Sequence, residues 1–259
     1  MGMAEGSYTF DDSRELRDCF QSADLVLAEA EHIRPCAEAV GCRHVAVIPN
    51  LVDIHRFAPR SRPERLSRAL GIHPQDVVVL HASNLKPVKR AGDIVDSALP
   101  ALAKDSRLMY VMVGDGGCRP DLEAMVTARG LQDRFRFTGW VDYQEMPEYM
   151  ALADMVVMPS EREQQARVYL ETQSAGRTLI ASDIPGSRAI VTHRRTGLLY
   201  PTGDVGALAE QVLTAAGAPS VRKSIGVQAR SRVASQSVER ISALVAATAE
   251  NLVGKHVIS

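Results

Sequence analysis

No apolar run in these 259 residues approaches the roughly 20 that a membrane-spanning helix needs. No charged stretch followed by an apolar one marks a secretion leader, and the opening Met-Gly-Met-Ala-Glu-Gly lacks the Ser or Thr of a myristoylation signal. A cytoplasmic location is therefore expected. Charge of one sign is missing too. The 30 Lys and Arg against 31 Asp and Glu leave a net charge of −1, and the arginines are scattered rather than gathered into a stripe. That excludes the electrostatic footprint of a nucleic-acid binder. Cysteine is scarce: Cys19, Cys36, Cys42 and Cys118 form no CxxC pair and have no histidine at zinc-finger spacing. Idle thiols are expected, with no disulfide frame and no metal site. Internal repeats and low-complexity tracts are also absent.

What remains is an ordinary globular composition, 46% hydrophobic and 24% charged, long enough for one large domain or one and a half. Strand-like and helix-like stretches alternate, which predicts an α/β fold: a Rossmann-like parallel sheet with helices on both faces. Helices at 11–21 and 30–40 flank a strand at Leu25 to Ala28, and His44 to Ile48 reads as a second strand. Phe57 to Arg65 (FAPRSRPER) is rich in Pro and Arg without apolar period, as a linker would be. Beyond it, strands are expected at Val77 to His81, Leu108 to Val113, Phe135 to Thr138, Met155 to Met158 and Thr178 to Ala181. Helices are expected from about Val88 to Ala103, near Pro120 to Arg129 and Met146 to Ala151, and around Glu171. A short pair of elements leads to Tyr200, and three helices run over about Val205 to Ala215, Ser220 to Ala234 and Val238 to Leu252. This divides the chain into a partial Rossmann-like domain over 1–57, a linker over 58–66, a main domain over 67–236 and a terminal helix over 237–259.

Two carboxylates stand out in SEREQQARVYLETQSAGRTLIASDIPG, Ser160 to Gly186. Glu163 follows a short apolar run ending in Pro159-Ser160, so it belongs on a loop at the end of a strand. Glu171 lies in a helix that Gly176 stops. Both then look across the C-terminal edge of a parallel sheet, where open α/β sheets bind ligands, and each can accept hydrogen bonds from vicinal hydroxyls. Alone, such a pair is common on solvated helices. The surrounding string carries the signal: MVVMPS, Glu163, QQAR, Leu170-Glu171, TQSAG, TLIASD, IPGSRAIV, TGLLY. In that order it resembles the donor-site motif of the retaining glycosyltransferases of family 4, which have the GT-B fold.

Two further segments carry the same resemblance. VAVIPNLVDIHRFAP, Val45 to Pro59, is similar to the stretch where family 4 enzymes leave their first domain, although Leu51 stands where Gly is usual. LHASNLKPVKR, Leu80 to Arg90, resembles the donor-phosphate loop. There Lys89 matches the family lysine and Asn84 sits where many members have Arg, which leaves Lys86 or Arg90 to supply the second charge. The SNxxxVKR form looks more like the N-acetylglucosaminyl malate synthase branch. A strand end followed by a helix start favours an anion there in any case. Gly114 and Gly116 of GDGG lack the third glycine of a dinucleotide fingerprint. In similar enzymes they form a close-packed turn facing the donor cleft, and the main chain at Val141, after Gly139-Trp140, meets the nucleobase. The resemblance covers nearly the whole chain but only part of the family's first domain, so most strands of that domain are expected upstream of Met1.

The resemblance implies retaining transfer of a sugar from a nucleotide-diphosphate donor to an acceptor the sequence does not name. Lys89, helped by Lys86, would neutralise the diphosphate, as would the amides of Ala166 to Val168. Glu163 would hold donor-sugar hydroxyls and Glu171 the ribose. Gln164 and Ala166 replace glycines common after the first Glu, and Arg167 is an added charge that is itself a candidate phosphate ligand. No cofactor beyond the donor is implied. Peripheral membrane or partner-subunit association stays open, as do a non-catalytic nucleotide-sugar-binding or regulatory role and a sugar-nucleotide epimerase of GT-B fold. A dehydrogenase is disfavoured by the missing glycine fingerprint.

Overall fold

The computed structural model describes residues 14–257. The opening Met-Gly-Met-Ala-Glu-Gly, the first three residues of the helix expected at 11–21 and the last two of the region 237–259 lie outside the described residues.

The described residues start with α1 (Arg14–Ser22), β1 (Val26–Ala28), α2 (Arg34–Ala39) and β2 (Val45–Val47). The two short strands pair in parallel with each other alone among the described residues, over a small cluster of Ala28, Ala30 and Ile33 with Val45 and Val47 beside it. The expected linker is anchored to the residues C-terminal to it. Phe57 is fully buried, Arg62 reaches Asp154 at 2.5 Å, and α3 (Glu64–Ala69) begins inside the stretch 58–66. This six-residue helix has no apolar stripe to announce it.

Strand and helix then alternate as expected: β3 (Val77–Ala82), α4 (Gly92–Leu102), β4 (Leu108–Val113), α5 (Arg119–Ala128), β5 (Phe135–Gly139), α6 (Met146–Leu152), β6 (Met155–Met158), α7 (Arg167–Ser174), β7 (Thr178–Ser182), α8 (Pro185–Arg188) and β8 (Leu198–Tyr200). α9 (Val205–Gly217), α10 (Pro219–Val233) and α11 (Val238–Val257) close the chain. The six strands form one sheet of order β5-β4-β3-β6-β7-β8, parallel throughout. Continuous apolar runs such as LMYVMV suit strands covered on both faces. Their period of two deals the side chains to two cores. Val77, Val79, Tyr110 and Met112 meet α4, α5 and α9. Val78, Leu80, Met109 and Val111 meet α6, α7 and the buried Val52 and Phe57.

Growth of the sheet starts at β3, runs outward through β4 and β5, then resumes at β6 on the other flank. The order therefore reverses between β3 and β6, and both their crossovers leave from the same edge. At such a reversal the two outgoing loops diverge and leave a crevice.

Candidate functional site

One wall of the crevice is the loop after β3. His81, almost fully buried near the strand's end, places Nδ1 2.9 Å from the Val157 carbonyl oxygen and Nε2 2.8 Å from Ser83 Oγ. A carbonyl only accepts, so Nδ1 carries the proton and the Ser83 hydroxyl donates to Nε2. Burial holds the ring neutral, with its pKa pushed down to about 4. Ser83 Oγ in turn accepts from the Leu85 amide at 3.1 Å. Leu85 (φ 39°) and Arg90 (φ 48°) are both left-handed, and they bracket a single 3-10 turn at Pro87–Lys89. The helix expected from Val88 consequently begins only at Gly92. The turn after β4 presses against this loop from behind. A Cβ on Gly114 would lie 1.8 Å from the Ser83 oxygen, and one on Gly116 would lie 2.0 Å from the Asn84 oxygen. No residue with a side chain fits there.

The opposite wall is the loop after β6. The Glu161 amide donates to the Val88 oxygen at 2.9 Å, joining the two walls main chain to main chain. Two residues on, Lys89 Nζ donates to Glu163 Oε1 at 2.6 Å, with the side chains 19% and 10% exposed. This is a largely desolvated ion pair. From the far side Gly186 lies so close that a Cβ would sit 2.1 Å from the Glu163 main-chain oxygen.

Glu171 sits on α7, which starts at Arg167 and is stopped, as expected, at Gly176 in the left-handed region (φ 66°). Only 6% of it is exposed. Burial raises its pKa above the usual carboxylate range, while the Arg167 charge, a hydrogen bond from Tyr143 and the Arg56 charge pull it down. The Tyr143 ring lies between two guanidiniums, Arg56 at 4.6 Å and Arg167 at 5.5 Å, with Phe57 at 5.7 Å. Arg56 also donates to the Tyr143 main-chain oxygen at 3.0 Å and to Gln144 Oε1 at 2.8 Å.

The sequence-derived candidates thus fall into three groups. Lys89 and Glu163 touch; Arg167 and Glu171 share Tyr143; Gly114 and Gly116 support the lysine loop from beneath. Asn84 and Lys86 are exposed on that loop. Arg90 turns away, its guanidinium held by both oxygens of Asp93 at 2.9 and 3.1 Å. Val141 is half-buried against the core beside Trp140, which is 74% exposed. Val168 is half-buried, and its carbonyl accepts from the Thr172 hydroxyl at 2.7 Å. Arg56, His81, Tyr143 and Gln165 were not among the candidates. His81 had a signal, a lone titratable ring in an apolar strand, whereas Arg56 and Tyr143 are meaningful only once brought together across 87 residues. Among the described residues no group of three His, Cys, Asp or Glu side chains is placed to hold a metal ion, and no helix is long and apolar enough to cross a membrane.

Residues 76–217, more than half of the chain, match the family described as Glycosyl transferases group 1. The D-inositol 3-phosphate glycosyltransferase of Jonesia denitrificans is 32% identical over 198 residues, 72% of this chain and 46% of that protein. The alpha-D-kanosaminyltransferase of Streptomyces kanamyceticus is 29% identical over 152 residues, 59% of this chain and 39% of that protein. The N-acetyl-alpha-D-glucosaminyl L-malate synthase of Bacillus anthracis is 26% identical over 195 residues, 75% of this chain and 50% of that protein. The chain thus spans about half the length of these relatives, or less. Among solved structures, Anabaena HepE in complex with UDP and glucose superposes with a TM-score of 0.83 at 25% identity, covering 92% of this chain and 66% of that one. Sucrose-phosphate synthase from Thermosynechococcus elongatus shares the fold, with a TM-score of 0.79 at 23% identity over 93% of this chain and 61% of that one.

Proposed function

The chain belongs to the group 1 glycosyl transferases, and on that premise we propose that its crevice binds a nucleoside-diphosphate sugar for retaining transfer to an acceptor, in the manner of the family 4 enzymes of GT-B fold. The observation that carries this reading is the Lys89–Glu163 contact at the reversal of strand order. It puts a cation suited to a diphosphate and a carboxylate suited to sugar hydroxyls within one hydrogen bond of each other, where the bond between phosphate and sugar has to lie.

Transfer breaks the bond from the sugar's anomeric carbon to the diphosphate oxygen and makes one to the acceptor oxygen on the same face, while the acceptor hydroxyl passes its proton to the leaving diphosphate oxygen. Negative charge builds on the leaving diphosphate and positive charge on the sugar ring. Lys89 and the exposed Lys86 meet the first, together with the amides that open α7, where the helix dipole favours an anion. Glu163 holds the sugar. Glu171 accepts from the ribose with Arg167 beside it, and the main chain at Val141 meets the base. Capture of UDP and glucose by the Anabaena relative supports uridine nucleotides as first probes.

Calorimetry with uridine, UDP and UDP-glucose tests the assignment. Lys89→Ala is expected to cost UDP roughly tenfold or more in affinity, the value of a hydrogen bond to a charged group, with little change for uridine. The loss should shrink at high salt. Unchanged UDP affinity, or an equal loss for uridine, would remove Lys89 from the phosphate subsite.

A further inference from the structure

The loop that carries Glu163 is anchored from two sides, and the second anchor comes from outside the six-stranded sheet. Gln165, two residues after Glu163, is a polar residue buried to 7% exposure. Its Oε1 accepts from the Asn50 amide at 2.5 Å and from Gln236 Nε2 at 3.3 Å, and its main-chain oxygen accepts from Asn50 Nδ2 at 2.7 Å. Gln236, itself buried, donates a second time to the Asn50 oxygen at 3.0 Å, and its own main-chain oxygen accepts from the Val52 amide at 3.0 Å. Both lone pairs of the Gln165 side-chain oxygen and both protons of the Gln236 amide are therefore used. Side-chain networks satisfied to this degree hold one geometry, since any slip leaves a buried group unpaired.

Asn50 closely follows β2, and Ile48 between them continues the ladder by donating its amide to the Ala28 oxygen at 2.9 Å. The connection from the β1–β2 unit to the sugar-facing carboxylate is thus a few residues long. On the same side a cavity of about 400 Å³ is lined by Glu29, just past β1, and by Arg162, Glu163, Gln164 and Gln165. We propose that Gln165 is a positioning residue: through Asn50 and Gln236 it fixes where Glu163 is presented, and so couples the grip on the donor sugar to the placement of the β1–β2 unit. This rests on Glu163 holding the sugar, as argued above.

The test compares UDP with UDP-glucose in the wild-type chain and in Gln165→Met, Asn50→Ala and Glu163→Gln. Gln165→Met keeps the volume and removes the accepting oxygen; Asn50→Ala removes the bond to the Gln165 main chain by an independent route. UDP-glucose affinity is expected to fall roughly tenfold in both, with UDP affinity held within about twofold, because the glucose depends on Glu163, whereas the ribose keeps Glu171 on α7 and the diphosphate keeps Lys89 and Lys86 on the loop after β3. A general loss of stability would weaken both ligands alike. If Glu163→Gln is selective for UDP-glucose while Gln165→Met and Asn50→Ala are not, the coupling is wrong and the sugar subsite stands. If Glu163→Gln is not selective, or the wild-type chain binds neither ligand, the sugar subsite and the coupling fall together.

Discussion

Glu171 and His81 are titratable groups held almost out of water, and their stability effects run in instructive directions. Burial raises the pKa of Glu171, so the folded chain favours its protonated form and the charge held at pH 7 costs stability. That cost fades as pH falls through the raised pKa. Glu171→Gln is accordingly expected to raise the Tm at pH 7, by a margin that narrows toward pH 4, while weakening UDP roughly tenfold or more for loss of a charged acceptor. Thermal scans at both pH values, paired with UDP titrations, check it. A lowered Tm with unchanged UDP affinity would make Glu171 a structural group. His81 behaves differently. Its folded pKa of about 4 lies below the ordinary 6.5, so the unfolded chain takes up the proton first and stability drains away as pH falls from 6.5 toward 4. The full loss is on the order of 3 kcal/mol. Urea midpoints of wild type and His81→Asn across that window should converge as the pH falls, since only the wild type carries this titration.

At the scale of elements, the crevice is built from turns whose backbones nearly collide. Leu85 and Arg90 occupy left-handed conformations that cost non-glycine residues about 1–2 kcal/mol each, and the surrounding contacts hold them there. Gly116→Ala would drive a methyl into the Asn84 oxygen from a backbone at φ 156°. We expect roughly 1–3 kcal/mol of destabilisation in urea and weaker UDP binding, because the lysine loop must shift. A variant as stable and as tight as wild type would show that the loop moves without cost. These elements also mark how far the sequence can be read. The β strands are legible because unbroken apolar runs such as LMYVMV are long and punctuated, and Glu163 and Glu171 fall on loop and helix because Pro159-Ser160 and Gly176 bound them. The register of the loop after β3 is not legible, since nothing local reports that Arg90 turns left-handed and postpones α4. In the sequence Gln165 is an ordinary loop residue. Its burial is set by Asn50 and Gln236, 115 and 71 residues away in sequence, and no local pattern reports partners at that distance.

Across the whole molecule, order is unevenly supported. β3 and β6 sit in the middle of a six-stranded sheet between two large apolar clusters, whereas β1 and β2 have three residues each and a few small side chains beneath them. At roughly 1.5–3 kcal/mol per buried large aliphatic side chain, the second unit has little to set against its ordering entropy. Hydrogen exchange should therefore be fast at Val26 to Ala28 and slow at Val78 to Leu80 and Val156 to Val157. Equal protection would mean that both units open only together. The sheet's two halves also meet chemically. Lys89 belongs to the half that begins at β3 and Glu163 to the half that begins at β6, and each neutralises the other. A lone phosphate drawn to Lys89 would strand a nearly buried carboxylate, and a lone sugar drawn to Glu163 would strand an ammonium. On the proposed assignment the ion pair therefore favours a molecule that carries anion and polyol on one frame over one that carries the anion alone, because only the former satisfies both of the groups it separates.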